Sequence, residues 1–236
     1  DSSTSRGLGD VYKRQSQDYV QQRSLAIADY FVSRQARAMV VACNTATAAA
    51  IAALRARHPD LIIIGVEPAI KPAAHLTHSG VVGVFATTGT LASPKFAALV
   101  QREAPEIRIL FRPCPEWVLL VEQGEISGPK AAHAVAAPVR ELLDQGADAL
   151  VLGCTHFPFL REAIAAAAGP TVPLLETGGP VARRLRHQLQ ERGWLKTDGA
   201  GTLALETTGD PAALARLGAQ LLGLPAQASQ TPAHWR

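Results

Sequence analysis

Short, continuously apolar runs recur along this chain, and each is followed by a longer stretch of helical character. Leu61-Ile62-Ile63-Ile64-Gly65 is the clearest run, and Val81-Val82-Gly83-Val84-Phe85 is another. A run with no polar alternation is the pattern of a strand buried on both faces, as in a parallel sheet. Ala38–Ala42, Ile107–Phe111, Ala149–Leu152, Val172–Leu175 and Thr202–Glu206 continue the series. Helices are predicted over Tyr19–Ser33, Thr45 to about Arg57, Ser93–Glu103, Pro129–Gln145, from Pro158, over Val181–Arg192 and over Asp210–Leu222. Pro138 is expected to disturb the fourth of these locally. Asp210-Pro211 is a strong helix start, with Asp as N-cap and Pro at the first helical position. Strands separated by helices of about 10–15 residues make βαβ units, and hence an α/β fold with parallel sheets. The segment after Leu224, with Pro225 and Pro232, is predicted to be a loose tail.

The 236 residues allow one large domain or two small ones. Hydrophobic residues at 47% and charged residues at 18% exclude intrinsic disorder and collagen-like structure. The net charge is only +3, with no long basic run, and aromatic residues are 5%. Neither nucleic-acid binding nor stacking on single strands is expected. No apolar run approaches the ~20 residues of a membrane-spanning helix, and no secretory signal is visible. Three widely spaced cysteines, Cys43, Cys114 and Cys154, do not make a disulfide framework. They indicate a reducing, cytoplasmic setting. No spacing of Cys and His suits a structural metal.

Two places share one design. Val40-Val41-Ala42-Cys43-Asn44-Thr45 and Leu150-Val151-Leu152-Gly153-Cys154-Thr155-His156 each run from an apolar strand through a cysteine and polar residues into a helix. Ligands of open α/β sheets bind beyond the carboxyl ends of strands. A cysteine there lies near a helix N-terminus, whose dipole and free N–H groups favour a thiolate and hold carboxylates. Asn44 or Thr45 caps the first helix; Thr155 or His156 precedes Pro158 in the second. A free cysteine after an apolar run is more often inert core, and Cys114 is read that way. The repetition sets Cys43 and Cys154 apart, and the spacing of His156 from Cys154 suits an acid/base or polarising role. Ala86-Thr87-Thr88-Gly89-Thr90 is a third polar turn, suited to a carboxylate or to simple capping. Glu67 and Glu176 lie at equivalent strand ends, where solvated or capping roles are the commoner ones.

These residues bring a family into view. VVACNTATAAAI (40–51), VEPAIKPA (66–73), TTGTLAS (87–93), CPEWVLLVEQG (114–124), LVLGCTHFPFL (150–160) and TTGDPAAL (207–214) resemble the bacterial glutamate racemases. The aspartate and hydantoin racemases share the paired cysteines but fit these words less well. The resemblance implies two pseudo-symmetric α/β parallel-sheet domains with the active site between them. It divides the chain into residues 1–70 plus 177–236 and residues 71–176. It implies a cofactor-independent two-base interconversion of L- and D-glutamate that supplies D-glutamate for peptidoglycan. Cys43 and Cys154 would be the two bases, and Asn44, Thr45, Thr155 and His156 would bind the substrate. No cofactor and no metal are implied. The partner is a small molecule, glutamate, rather than nucleic acid or membrane. Homodimers are frequent in such a family, although no interface signal is legible.

One departure stands out. The family opens with a strand ending in an Asp-Ser-Gly-x-Gly-Gly turn, whose Asp assists the first cysteine and whose Ser helps bind substrate. Here the first fifteen residues carry no apolar run, and Asp1-Ser2 and Gly7-Leu8-Gly9 are only scattered echoes of that turn. Residues 1 to about 15 are therefore expected to be foreign to a racemase, and the chain as written to be a weak or inactive enzyme. An aspartate- or hydantoin-type racemase and a catalytically impaired carboxylate binder are the alternative readings.

Overall fold

The side-chain alternation of three neighbouring strands builds the centre of the molecule. In the computed structural model, which describes residues 16–199, 201–223 and 227–232, β3 (Val81–Ala86), β4 (Arg108–Pro113), β5 (Ala149–Leu152) and β6 (Leu174–Leu175) form a parallel sheet in the order β4-β3-β5-β6. Val82 pairs with Ile109 on one side and Ala149 on the other, and the register continues to Phe85 beside Leu152. Successive residues of a strand point to opposite faces. Phe85, Leu150 and Leu152 therefore pack with Trp117, Val135, Val139, Leu142, Phe157 and Leu160. Val82, Val84, Ala149 and Val151 pack on the other face with Ile70, Phe96 and Leu99. Gly83 is required here, because a Cβ would lie 2.7 Å from Leu150 Cδ2 and 2.8 Å from Leu142 Cδ1.

A second parallel pair, β1 (Ala38–Val41) and β2 (Ile62–Gly65), is covered by α1 (Gln17–Ser33) and α2 (Asn44–Arg57). Ala28, Met39, Ala50, Ile51, Leu54 and Ile63 make its core. A short third pair joins β7 (Glu206–Thr207) to β8 (Ser229–Gln230). The structure is thus α/β with parallel sheets throughout the described residues.

All but one of the predicted strands are present with shifted ends, as are the long helices, among them α5 (Pro94–Glu103) and α9 (Gly178–Glu191). The last predicted strand, Thr202–Glu206, is the main correction: the chain is irregular until Glu206. The tail is corrected too, since Ser229–Gln230 pairs with β7 instead of lying loose. Three short helices were not read from the sequence: α3 (Ile70–Leu76), α4 (Thr88–Leu91) and α6 (Pro115–Glu122), the last preceding α7 (Gly128–Asp144). Pro72 and Pro115 argue against helix in a sequence, yet each lies in a first turn, where the missing N–H has no helical partner to lose. Helix α7 runs on through Pro138, which is buried on its core face. Pro158 opens a 3-10 turn, Phe157–Leu160, that leads into α8 (Arg161–Ala168). Asp210 caps α10 (Pro211–Leu222) through the N–H of Ala212 at 2.9 Å. The expectation concerning residues 1 to about 15 lies outside the described residues.

The packing gives a direct stability prediction. Leu150 is fully buried against Leu142 and fills the space Gly83 leaves. Leu150→Ala should cost about 2–5 kcal/mol, the range for a buried Leu truncation that leaves a cavity. Equilibrium denaturation in urea checks this, with the m-value unchanged.

Candidate active site

Both cysteine turns open on one cleft of about 370 Å³. Its lining includes Cys43, Asn44, Thr45, Gly153, Cys154, Thr155 and His156, together with Thr87, Thr90, Val118 and Glu122. The six residues singled out in the sequence therefore meet in one place.

Cys43 ends β1 and is itself the N-cap of α2, accepting the N–H of Ala46 at 3.5 Å. This corrects the expectation that Asn44 or Thr45 caps that helix. The cysteine has extended backbone angles, so its sulfur takes the place a Ser or Asp oxygen usually fills. Cys43 is exposed as a residue. The thiol lines the cleft, and its desolvation there pushes it up. The Ala46 amide pulls the other way without cancelling the effect, and the nearby Cys154 adds to the upward push.

Cys154 follows β5 and is buried. Gly153 must precede it, because a Cβ there would lie 2.8 Å from the Phe85 carbonyl oxygen. Its N–H donates to that same carbonyl at 2.7 Å, which ties the turn to β3. His156 Nδ1 lies 3.7 Å from Cys154 Sγ, and His156 Nε2 lies 2.7 Å from Glu122 Oε1. Burial alone would lower the imidazole, but the contacts with Cys154 and Glu122 outweigh it and raise His156 to about 9. The same His156 bond holds Glu122 below the ordinary carboxylate range against the opposing effect of burial. At neutral pH this places an imidazolium between a sulfur and a carboxylate.

Three hydroxyls close the other side. Thr45 Oγ1 is 3.1 Å from Thr87 Oγ1 and 3.3 Å from Thr90 Oγ1, and Thr87 and Thr90 are 3.0 Å apart. The TTGT turn is thus a helical turn, α4, capped by Thr87. Asn44 is buried, and its Nδ2 donates to the Gly153 carbonyl at 3.0 Å.

Glu122 is the site residue that the sequence reading missed. It sits in a quoted motif, but nothing in the spacing shows that the end of α6 faces a histidine 34 residues later. Glu67 and Glu176 do not line the cleft. Glu67 pairs with Lys95 at 3.3 Å and Arg102 at 3.8 Å, and Glu176 faces Arg161 at 3.8 Å. Cys114 is fully buried within the Phe85–Trp117 core. Among the described residues, no group of three or more His, Cys, Asp or Glu is placed to hold a metal ion. No helix among them is long and apolar enough to cross a membrane.

Comparison with known proteins gives the arrangement its class: the chain is a racemase, an isomerase. Residues 12–184 match the family model described as Asp/Glu/Hydantoin racemase, and the chain belongs to that family. The glutamate racemase of Pseudomonas entomophila (strain L48) is 47% identical over 206 residues, covering 87% of this chain and 78% of that one. The crystal structure of glutamate racemase isoform RacE1 from Bacillus anthracis superimposes with a TM-score of 0.81 at 26% identity, over 94% of this chain and 84% of that one. Escherichia coli glutamate racemase, solved with L-glutamate and the activator UDP-MurNAc-Ala, gives a TM-score of 0.79 at 30% identity, over 93% and 83%.

Proposed function

We propose that this chain interconverts L- and D-glutamate without a cofactor, with Cys43 and Cys154 as the two bases. The observation that carries this reading is the pair of strand-end cysteines on one cleft, one of them backed by the His156–Glu122 pair. Inverting a stereocentre needs a base on one face of the α-carbon and an acid on the other. Cys154, beside the imidazolium, takes the α-proton as the C–H bond breaks. Cys43, whose thiol is pushed up and so keeps its proton, returns a proton to the opposite face. The two thiols then exchange roles for the reverse reaction. The N–H groups at the head of α2, with Thr45, Thr155 and His156, hold the carboxylates and stabilise the charge that develops at the α-carbon. The Oδ1 of Asn44, buried and without a partner among the described residues, accepts from the substrate ammonium. The physiological role that fits is supply of D-glutamate for peptidoglycan in the cytoplasm, and a homodimer is the assembly that fits the family.

The test follows optical rotation or circular dichroism from each glutamate enantiomer separately. Both should approach the same racemic end point. Faster turnover of aspartate or a hydantoin would move the assignment to another branch of the family. Binding of glutamate with no turnover would make the chain a carboxylate binder.

A further inference from the structure

Asn44 and Gly153 are 109 residues apart in sequence, yet they share a direct hydrogen bond of 3.0 Å. Asn44 immediately follows Cys43, and Gly153 immediately precedes Cys154. The bond therefore joins the two cysteine turns to each other, one residue from each thiol. Its direction is fixed, because only the amide nitrogen can donate to a carbonyl. Asn44 is 7% exposed, so no bulk water competes for the bond. The acceptor is rigid as well: the Gly153 N–H is bonded to β3 at 2.7 Å, and no side chain fits at that position. A second tie runs alongside, from Thr45 to Thr87 and Thr90 at the end of the same strand. Among the described residues, Asn44 is the one whose side chain ties the Cys43 turn directly to the Cys154 turn.

We infer that Asn44 is a positioning residue whose side-chain amide sets the separation and facing of the two thiols. This rests on the two-thiol reading given above. Two-base inversion is unusually sensitive to such spacing. Proton removal needs only one thiol at the α-carbon, whereas inversion needs the second thiol in reach on the far face before the first returns its proton. Displacements of about 1 Å in reacting groups are enough to cost about a hundredfold in rate. Loosening the tie should thus separate two processes that are coupled in the intact site. Removal of the α-proton continues, and its return to the same face gains on delivery to the opposite face.

The experiment measures two rates in deuterated solvent with each enantiomer of glutamate: inversion, and α-deuterium incorporation with retention of configuration. Asn44→Ala removes the bond. Asn44→Asp keeps the size but sets a carboxylate against the Gly153 carbonyl. Both variants should show inversion lowered by about a hundredfold, with the ratio of retentive exchange to inversion raised at least about tenfold above that of the unaltered chain. Far-ultraviolet circular dichroism and a thermal melt confirm the fold of each, and Asn44→Asp serves if Asn44→Ala does not fold. A ratio unchanged in a folded variant, with the loss confined to KM, would overturn the inference and leave Asn44 as a substrate contact alone. If the unaltered chain neither inverts glutamate nor exchanges its α-proton, the two-thiol reading itself fails, which is a distinct outcome.

Discussion

Cys43→Ala and Cys154→Ala should each abolish racemisation, lowering kcat/KM by about 10³-fold or more, which is about 4 kcal/mol of transition-state stabilisation. The two losses should differ in a revealing way. One thiol remains in each variant, and it can still remove the α-proton of the enantiomer that presents that proton to it. Each variant should therefore exchange the α-proton of one glutamate enantiomer without inverting it, and the two should act on opposite enantiomers. Proton exchange followed by nuclear magnetic resonance in deuterated solvent makes the measurement. Either variant racemising at more than about a hundredth of the unaltered rate would sink the two-base reading, because one thiol cannot reach both faces. Cys114→Ala is the control. That side chain is fully buried with the Phe85 and Trp117 rings, so its loss should affect stability and leave the exchange pattern alone.

The contrast among the three cysteines also shows how far sequence alone carries. Cys43 and Cys154 were distinguishable from Cys114 because each follows an apolar strand and precedes a helix, and chain order is enough to place such turns at the carboxyl edge of a parallel sheet. The sheet was legible for the same reason: runs such as Leu61–Gly65 and Val81–Phe85 are short, apolar at every position and rich in β-branched residues, the pattern of a strand covered on both faces. Elements decided by a few backbone bonds were not legible. Ser229–Gln230 pairs with Glu206–Thr207 through backbone groups that carry no side-chain signature. Proline-bearing starts such as Pro115 look like breaks until the first helical turn is seen. Glu122 was hidden for a different reason. A carboxylate at the end of a largely apolar helix is an ordinary solvated residue in sequence, and only the packing of α6 against the Phe157–Leu160 turn brings it to His156.

That pairing governs the second large effect. His156 is raised to about 9 in the folded chain, against an ordinary value near 6.5. The folded state thus holds this proton more tightly than the unfolded one. The stability it contributes is fully present below about pH 6.5 and is lost as pH rises through about 9. Glu122 is held low by the same bond, so its share is present above the ordinary carboxylate range and is lost as pH falls through its lowered value. Activity should follow the imidazolium, with an alkaline limb in kcat/KM centred near pH 9. In Glu122→Gln one of the two contacts that raise His156 is gone while the Cys154 contact remains, and the limb should move down from about pH 9 toward the ordinary histidine value. Fewer of the His156 side chains are then protonated at pH 8, so activity there should fall severalfold and recover on acidification. His156→Gln has no imidazolium to recover and should lose about 10²-fold across the whole range. Cys43 provides the internal check. Its thiol is also pushed up, but by burial and by Cys154 rather than by Glu122. A limb due to Cys43 would stay in place in Glu122→Gln. A profile that does not move in that variant would assign the alkaline limb to the thiol and remove His156 from the charge balance at Cys154.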